Sequence, residues 1–346
     1  MDDINWEKIP SDFLVHAPVR FSPGKSDPDR FALNPPSAQS HLLGTTRTGA
    51  DVLSGLIHGA RYSLMIGCCS MLIALFIGIV MGGLAGYFGD YSITCSRYAA
   101  AGVFLLILPA WYYAFGLFPI NMNDAIQNGI LSGLIKLGFR TGIFIFICLL
   151  PIILPAILKK TNRRSGAVSI PVDSIISRFI ELFVSIPRLV LIVTLSAIMR
   201  PSLTGLILII GLTSWTEIAR IFRAEILRLR TLEFVQASRV SGASDLRTLI
   251  STILPNAIAP VTIFFFLGIA GAILTEAGLS FLGIGVPHSI STWGSLLFAG
   301  RENFEAWWLV VFPGLAVFLL LWSLHNLGDY LKQNIPGSRG RFVNNF

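Results

Sequence analysis

Hydrophobic and charged positions are segregated along this chain into long blocks. No Asp, Glu, Lys or Arg occurs in 62–89, 98–123, 141–158, 201–216, 248–275 or 306–328. A span needs about 20 apolar residues to cross a hydrocarbon core roughly 30 Å thick. Backbone amides there must find partners within their own segment, so helices are the expected form. The pattern predicts an all-α, polytopic membrane protein of about seven spans, near 63–88, 98–119, 141–158, 176–199, 202–222, 256–282 and 306–328. The fourth is the weakest, because Arg178, Glu181 and Arg188 interrupt it and Pro187 lies in its middle. Residues 1–60 are polar, with six prolines and no span.

Composition agrees. The chain is 53% hydrophobic and 13% charged, against about a quarter charged in a soluble chain. Cys68, Cys69, Cys95 and Cys148 lie in or beside the apolar blocks without a CxxC spacing, as small packing residues do. Alternating the spans across the bilayer puts Arg97, the run KKTNRR at 159–164, residues 220–247 and the C-terminal tail on one side. That side holds 14 Lys and Arg, while the short loops opposite hold four, Lys136, Arg140, Arg200 and Arg301. The bias places the first side and the C-terminus in the cytoplasm, and the N-terminal tail outside. It also explains the net charge of +7. No basic patch is interleaved with exposed aromatics, so nucleic acid is not an expected partner.

One cytoplasmic stretch does not read as a loop: EFVQASRVSGASDLRTLISTILP, residues 233–255. Residues 226–241 contain no Gly or Pro and suit a helix. Gly242 stands where a left-handed helix-ending residue belongs. Ser244 reads as an N-cap with Asp245 in the first turn, and Pro255 as the end of the segment. On these residues alone the hairpin is either a handle gripped by a cytoplasmic partner or a helix lying at the membrane surface.

This stretch resembles the cytoplasmic EAA loop of ABC-importer permeases, the binding-protein-dependent transport system inner-membrane components. Ala237, Gly242, Leu254 and Pro255 sit at that loop's offsets, while Gln236 stands for its Glu, Ser238 for its second Ala and Thr252 for a usual Ile. HLLGTTRTGADVLSGLIHGARYSL (41–64) and GAILTEAGLSFLGIGVPHSISTWGSLL (271–297) are similar to signatures of the dipeptide, oligopeptide and nickel subgroup, with departures at Thr46 and Ala50. The resemblance covers about 41–98 and 173–332. It implies a type I ABC importer permease fold: a multi-pass subunit of the bacterial inner membrane for peptides or similar small solutes. The implied partners are a second homologous permease, two cytoplasmic ATPase subunits, an extracytoplasmic solute-binding protein and the bilayer. The chain itself would bind no cofactor, ATP being used by the partners.

The implied coupling residues are Glu233, Gln236, Ala237, Ser238, Arg239, Gly242, Ala243, Asp245, Leu254 and Pro255. Glu276, Ser280 and Arg188 are the candidates for the translocation pathway; the resemblance puts Glu276 near its outer mouth, while a lone carboxylate in an apolar stretch also reads as a buried structural hydrogen-bonding group. The implied organisation is an extracytoplasmic segment 1–60, a permease domain 61–332 containing the coupling loop 226–255, and a cytoplasmic tail 333–346. Two departures stand out. The family's usual first span is missing ahead of residue 41, and residues 99–172 form an insertion with two extra spans, which preserves the parity of everything downstream.

Other signals are weaker. PGKS (23–26) fails as a phosphate loop, because the earlier glycine position is Val19. The five histidines show no metal spacing. Glu217–Arg220 and Arg220–Glu225 are candidate helical pairs at a cytoplasmic span end. Gly78, Gly82 and Gly86, four apart, invite close helix packing, including against a second permease. A stand-alone transporter or channel would instead need charged relays and repeated broken helices; a membrane enzyme would need a polar catalytic cluster, and none is legible.

Overall fold

Each apolar block within the described residues forms a helix, because no water is present at that depth to satisfy an open backbone. The structure, a computed structural model, describes residues 33–37, 41–90, 94–96, 167–199, 201–287 and 289–334, with a few isolated positions between 105 and 143. The helices are α1 (Val52–Phe88), α2 (Val172–Ser185), α3 (Arg188–Ile198), α4 (Leu203–Leu229), α5 (Glu233–Val240), α6 (Asp245–Phe281), α7 (Trp293–Glu302) and α8 (Trp308–Asn334). Of these, α1, α4, α6 and α8 are each long and apolar enough to cross a membrane. The expected spans at 98–119 and 141–158 lie outside the described residues, as do PGKS and the C-terminal tail beyond 334.

The weak fourth span is a broken one. α2 and α3 meet at 76°, with the break at the residue before Pro187, whose ring disfavours helix in its neighbour. Pro187 then caps α3 with φ −54°. α1 begins at Val52 rather than near 63, because the polar 41–51 segment folds onto it. There Thr45 pairs with Asp51, His41 Nδ1 lies 2.9 Å from Asp51 Oδ1, and Asp51 Oδ2 accepts from the Ser54 amide at 2.8 Å.

The chain divides into two units, one of residues 1–87 with 178–346 and one of 88–177. In the second, strands β1 (Thr94–Ser96) and β2 (Ala167–Ser169) pair antiparallel, Thr94 opposite Ser169 and Ser96 opposite Ala167. This short ladder is an exception to the otherwise helical fold. It clips together the two ends of the 99–172 stretch. Asp90 adds a second clip, accepting from the Ser174 amide at 2.8 Å and its hydroxyl at 2.7 Å in the first turn of α2. That is an N-cap supplied from a distant part of the chain.

In the first unit α4 is the inner helix: 72% of its apolar window is buried, against 22–33% in α1, α6 and α8. α6 packs against α4, α7 and α8, and α3 against α4. The stripe of Gly78, Gly82 and Gly86 faces α4. A Cβ at Gly82 would collide with the Ala219 carbonyl, and one at Gly86 would lie 2.9 Å from the Arg223 carbonyl. The stripe is therefore consumed by a contact within the chain rather than left for a second permease. The reason is that Ala219 and the Arg223 carbonyl leave room for only a backbone opposite them.

Gly82→Ala should cost about 1–3 kcal/mol by overpacking this contact. Gly83→Ala, whose Cβ would sit an ordinary 3.4 Å from Phe222, should stay near wild type. Thermal melting of the detergent-solubilised protein checks both.

Candidate functional site: the α4–α6 loop and the buried carboxylate

The loop between α4 and α6 is built from two breaks. α4 runs on to Leu229 and stops in a turn at 230–232, so the helix expected unbroken over 226–241 is in fact two helices. Leu232 begins α5 without a side-chain cap. α5 ends in a Schellman closure: the Gly242 amide donates to the Arg239 carbonyl at 3.0 Å and the Ala243 amide to the Ser238 carbonyl at 3.2 Å. Gly242 has φ +81°, the left-handed value such a closure needs. Ser244 then caps α6, its hydroxyl accepting from the Arg247 amide at 3.4 Å.

Pro255 does not end the segment. It lies in the first turn beyond a π-helical stretch, Thr248–Ile253, and the helix continues to Phe281. Proline removes one amide from the ladder. The π turn is where that ladder changes register, the Leu254 amide reaching back to Leu249. Leu254 and Pro255 are thus part of a spanning helix that starts in the loop itself.

The loop is held from within. Gln236 Nε2 donates to the Thr231 carbonyl at 3.2 Å, and the Ser238 and Thr252 hydroxyls are 3.3 Å apart. Val235 and Thr248 are buried. The sequence alone gives Tyr87 no role, yet it ends α1 between the two limbs. Its hydroxyl donates to Asp245 Oδ1 at 2.8 Å, and Arg239 lies over its ring at 5.2 Å. Arg230 Nη1 donates to the Gly86 carbonyl at 3.2 Å. The legible signal was an aromatic residue at the end of an uncharged block, where interfacial Tyr is common. Among polar neighbours such as Arg239, Asp245 and Arg247 the loop also exposes large apolar side chains: Val240 is 89% exposed and Leu246 63%, and Phe234 and Ile250 are exposed as well. Glu233, Gln236 and Ala237 are also exposed, and Ala243 is half-buried.

The two charge pairs expected on α4 do not form. Arg228 donates to Glu225 from Nε at 3.2 Å and from Nη2. Glu217 instead faces Arg188, at 3.9 Å. Residues 220 and 225 are five apart and fall on different helix faces. Arg188 Nη2 also donates to the Ser214 hydroxyl at 2.7 Å, so this cation sits at the α2–α3 bend against α4.

Glu276 is a buried hydrogen-bonding group in this structure. It is 0% exposed. Its Oε1 accepts from the Thr292 hydroxyl at 2.8 Å and the Ser280 hydroxyl at 2.9 Å, and its Oε2 from the Ser63 hydroxyl at 3.3 Å. As placed, neither Glu276 nor Ser280 lines an open path; together they tie α1, α6 and the start of α7. A buried carboxylate needs such donors. Thr292 also caps α7, in a reciprocal box with Ser295. Gly294 makes room for the arrangement, its Cβ position lying 2.6 Å from Ser280 Cβ. Nearby, the indoles of Trp293 and Trp308 donate to the Leu56 and Thr45 carbonyls at 2.9 and 3.1 Å.

The fold and this loop define a polytopic helical membrane protein with a helix–Gly–helix hairpin leading into one of its spans. Residues 166–335 match the family described as binding-protein-dependent transport system inner membrane component. The dipeptide transport system permease protein DppC of Haemophilus influenzae is 33% identical over 271 residues, 78% of this chain and 88% of that protein. The di/tripeptide transport system permease protein DppC of Pseudomonas aeruginosa is 29% identical over 308 residues, covering 87% of this chain and 75% of that one. Among solved structures, an amino acid ABC transporter aligns over 82% of this chain and 93% of its own, at 14% identity and a TM-score of 0.41. That score is too low to carry the assignment, which rests on the sequence relatives. The chain belongs to the binding-protein-dependent transport system inner membrane component family, and it is the membrane-spanning permease subunit of an ATP-driven importer.

Glu276→Leu should cost about 1–3 kcal/mol for the buried hydroxyls it leaves without an acceptor, and Thr292→Ala less. An unchanged melting midpoint for Glu276→Leu in detergent would overturn the structural role.

Proposed function

We propose that this chain forms one half of the membrane path of an importer for peptides or similar small solutes, and that residues 226–255 receive the stroke of a cytoplasmic ATPase. The observation that carries the coupling reading is the loop's build. A short helix, closed at Gly242 and braced inside, presents Phe234, Val240, Leu246 and Ile250 outward at the head of a helix that runs on into the membrane. Apolar side chains on a rigid element are what a partner's groove takes up. Val235 holds the loop to its own chain, while the exposed set is left for the ATPase. Glu233, Gln236, Ala237 and Ala243 surround that set, Ser238, Arg239, Gly242 and Asp245 fix its shape, and Leu254 and Pro255 carry the movement into α6.

In this reading ATP is bound and hydrolysed by two partner subunits. A second permease completes the path, an extracytoplasmic binding protein delivers solute, and the C-terminus is cytoplasmic. Peptides as the cargo are supported by the names of the relatives. For a polar path, Arg188 with Glu217 is better placed than Glu276: both are partly exposed at the bend of a broken span, where charge at membrane depth must face water or protein.

Affinity purification of the tagged chain from mild detergent tests the coupling reading. A Val240→Asp, Leu246→Asp variant should retain at least about tenfold less ATPase subunit than wild type, roughly 1.4 kcal/mol. Undiminished ATPase would show that this surface is not the docking face. A reporter fused after Phe346 should be active only in the cytoplasm, and activity outside would overturn the orientation.

A further inference from the structure

α5 hangs between two joints. On one side is the uncapped turn at 230–232, on the other the left-handed Gly242. The turn at 230–232 has no side-chain cap and Gly242 no Cβ to restrict it, so within the loop the Gln236–Thr231 and Ser238–Thr252 contacts are among the few side-chain ties that hold α5. A load applied to the exposed tip would pivot α5 about these points unless something braced it. α1 is that brace. It has no chain connection to the loop within its unit, yet its last turn touches three parts of it: the α4–α5 turn through Arg230 and the Gly86 carbonyl, α5 through Arg239 on the Tyr87 ring, and α6 through Asp245 on the Tyr87 hydroxyl.

Tyr87 is 3% exposed, and its ring and hydroxyl are used in different directions. Phenylalanine would keep the ring contact and lose the hydrogen bond; leucine would lose both. Earlier in α1, Gly78 seats against the Ile218 side chain and Gly82 against the Ala219 backbone, which holds α1 close to α4. The tip of α5 is thereby joined through one aromatic residue to a helix that reaches across the membrane.

We propose that Tyr87 is a positioning residue of the coupling apparatus: by bridging Arg239 and Asp245 it prevents α5 from pivoting, so that a stroke on the loop moves α1 together with α4 and α6. This rests on residues 226–255 being the ATPase-coupling loop. Coupling of this kind needs a contiguous chain of contacts with two arrangements, and its mark is a response to nucleotide that is lost while the primary contact is kept.

The test is hydrogen exchange read by mass spectrometry on the assembled importer in nanodiscs, nucleotide-free and trapped with ADP and vanadate. In wild type, trapping should change exchange both in 233–247 and in the last turns of α1, 79–88. In Tyr87→Leu the response of 233–247 should persist and that of 79–88 should be lost; Tyr87→Phe should lose part of it. Asp245→Ala should match Tyr87→Phe, and the two combined should lose no more than either alone. Should Tyr87→Leu fail to accumulate, Asp245→Ala and Arg239→Gln, both at exposed positions, decide the matter in its place. A wild-type response at 79–88 in these variants would overturn the strut. A wild-type loop that ignores trapping would overturn the coupling reading itself, and the two failures are distinct.

Discussion

The backbone-to-backbone approach of α1 to α4 is the contact on which the rest of the first unit depends. Lipid tails are as apolar as the side chains they replace, so helices in a bilayer gain little from burying apolar surface against one another. Dispersion at close range and a few polar ties must hold them. Gly78, Gly82 and Gly86 on α1 meet Ile218, Ala219 and the Arg223 carbonyl on α4. The same device recurs where Gly67 meets Ile273 and Gly211 meets the Ser70 carbonyl. α1, α4 and α6 thus form a tight group around which the remaining helices are arranged.

Polar ties complete this group at its far end. Glu276 gathers hydroxyls from α1, α6 and the cap of α7, and two tryptophan indoles donate to carbonyls of the segment that leads into and begins α1. Val52, Ala306, Trp308 and Leu309 close a small apolar core beside it. The HLLGTT and EAGLSFLG stretches, conspicuous in the sequence, are on this view the parts of one knot. Their small and hydroxylic residues are needed because the chain crosses itself there at short range.

At the loop between α4 and α6 the design differs. The loop is a string of short pieces, held by contacts within it and by others that its own limbs cannot supply. α1 provides them. Through them the loop is tied to α1 as well as to its own two limbs.

Much of this was legible. Charge-free blocks located α1, α4, α6 and α8, because a segment without charges that is long enough to span has only one stable backbone in hydrocarbon. Gly242 announced the Schellman closure and Ser244 the cap, because those conformations admit few residue types. Pro187 marked the broken span. Other features were decided only by the tertiary structure. Pro255 looked like a stop yet lies inside a long helix, because a π turn absorbs its missing amide. The sequence leaves Glu276 open between a pathway group and a buried hydrogen-bonding one; the fold encloses it, because its three donors come from positions 63, 280 and 292. Tyr87 showed locally only as an aromatic residue at the end of an uncharged block, since its partners are some 150 residues away along the chain. Local sequence determines what a segment can be when its backbone or its medium leaves few choices; which side chain answers which across the bundle is set by packing, which no single stretch contains.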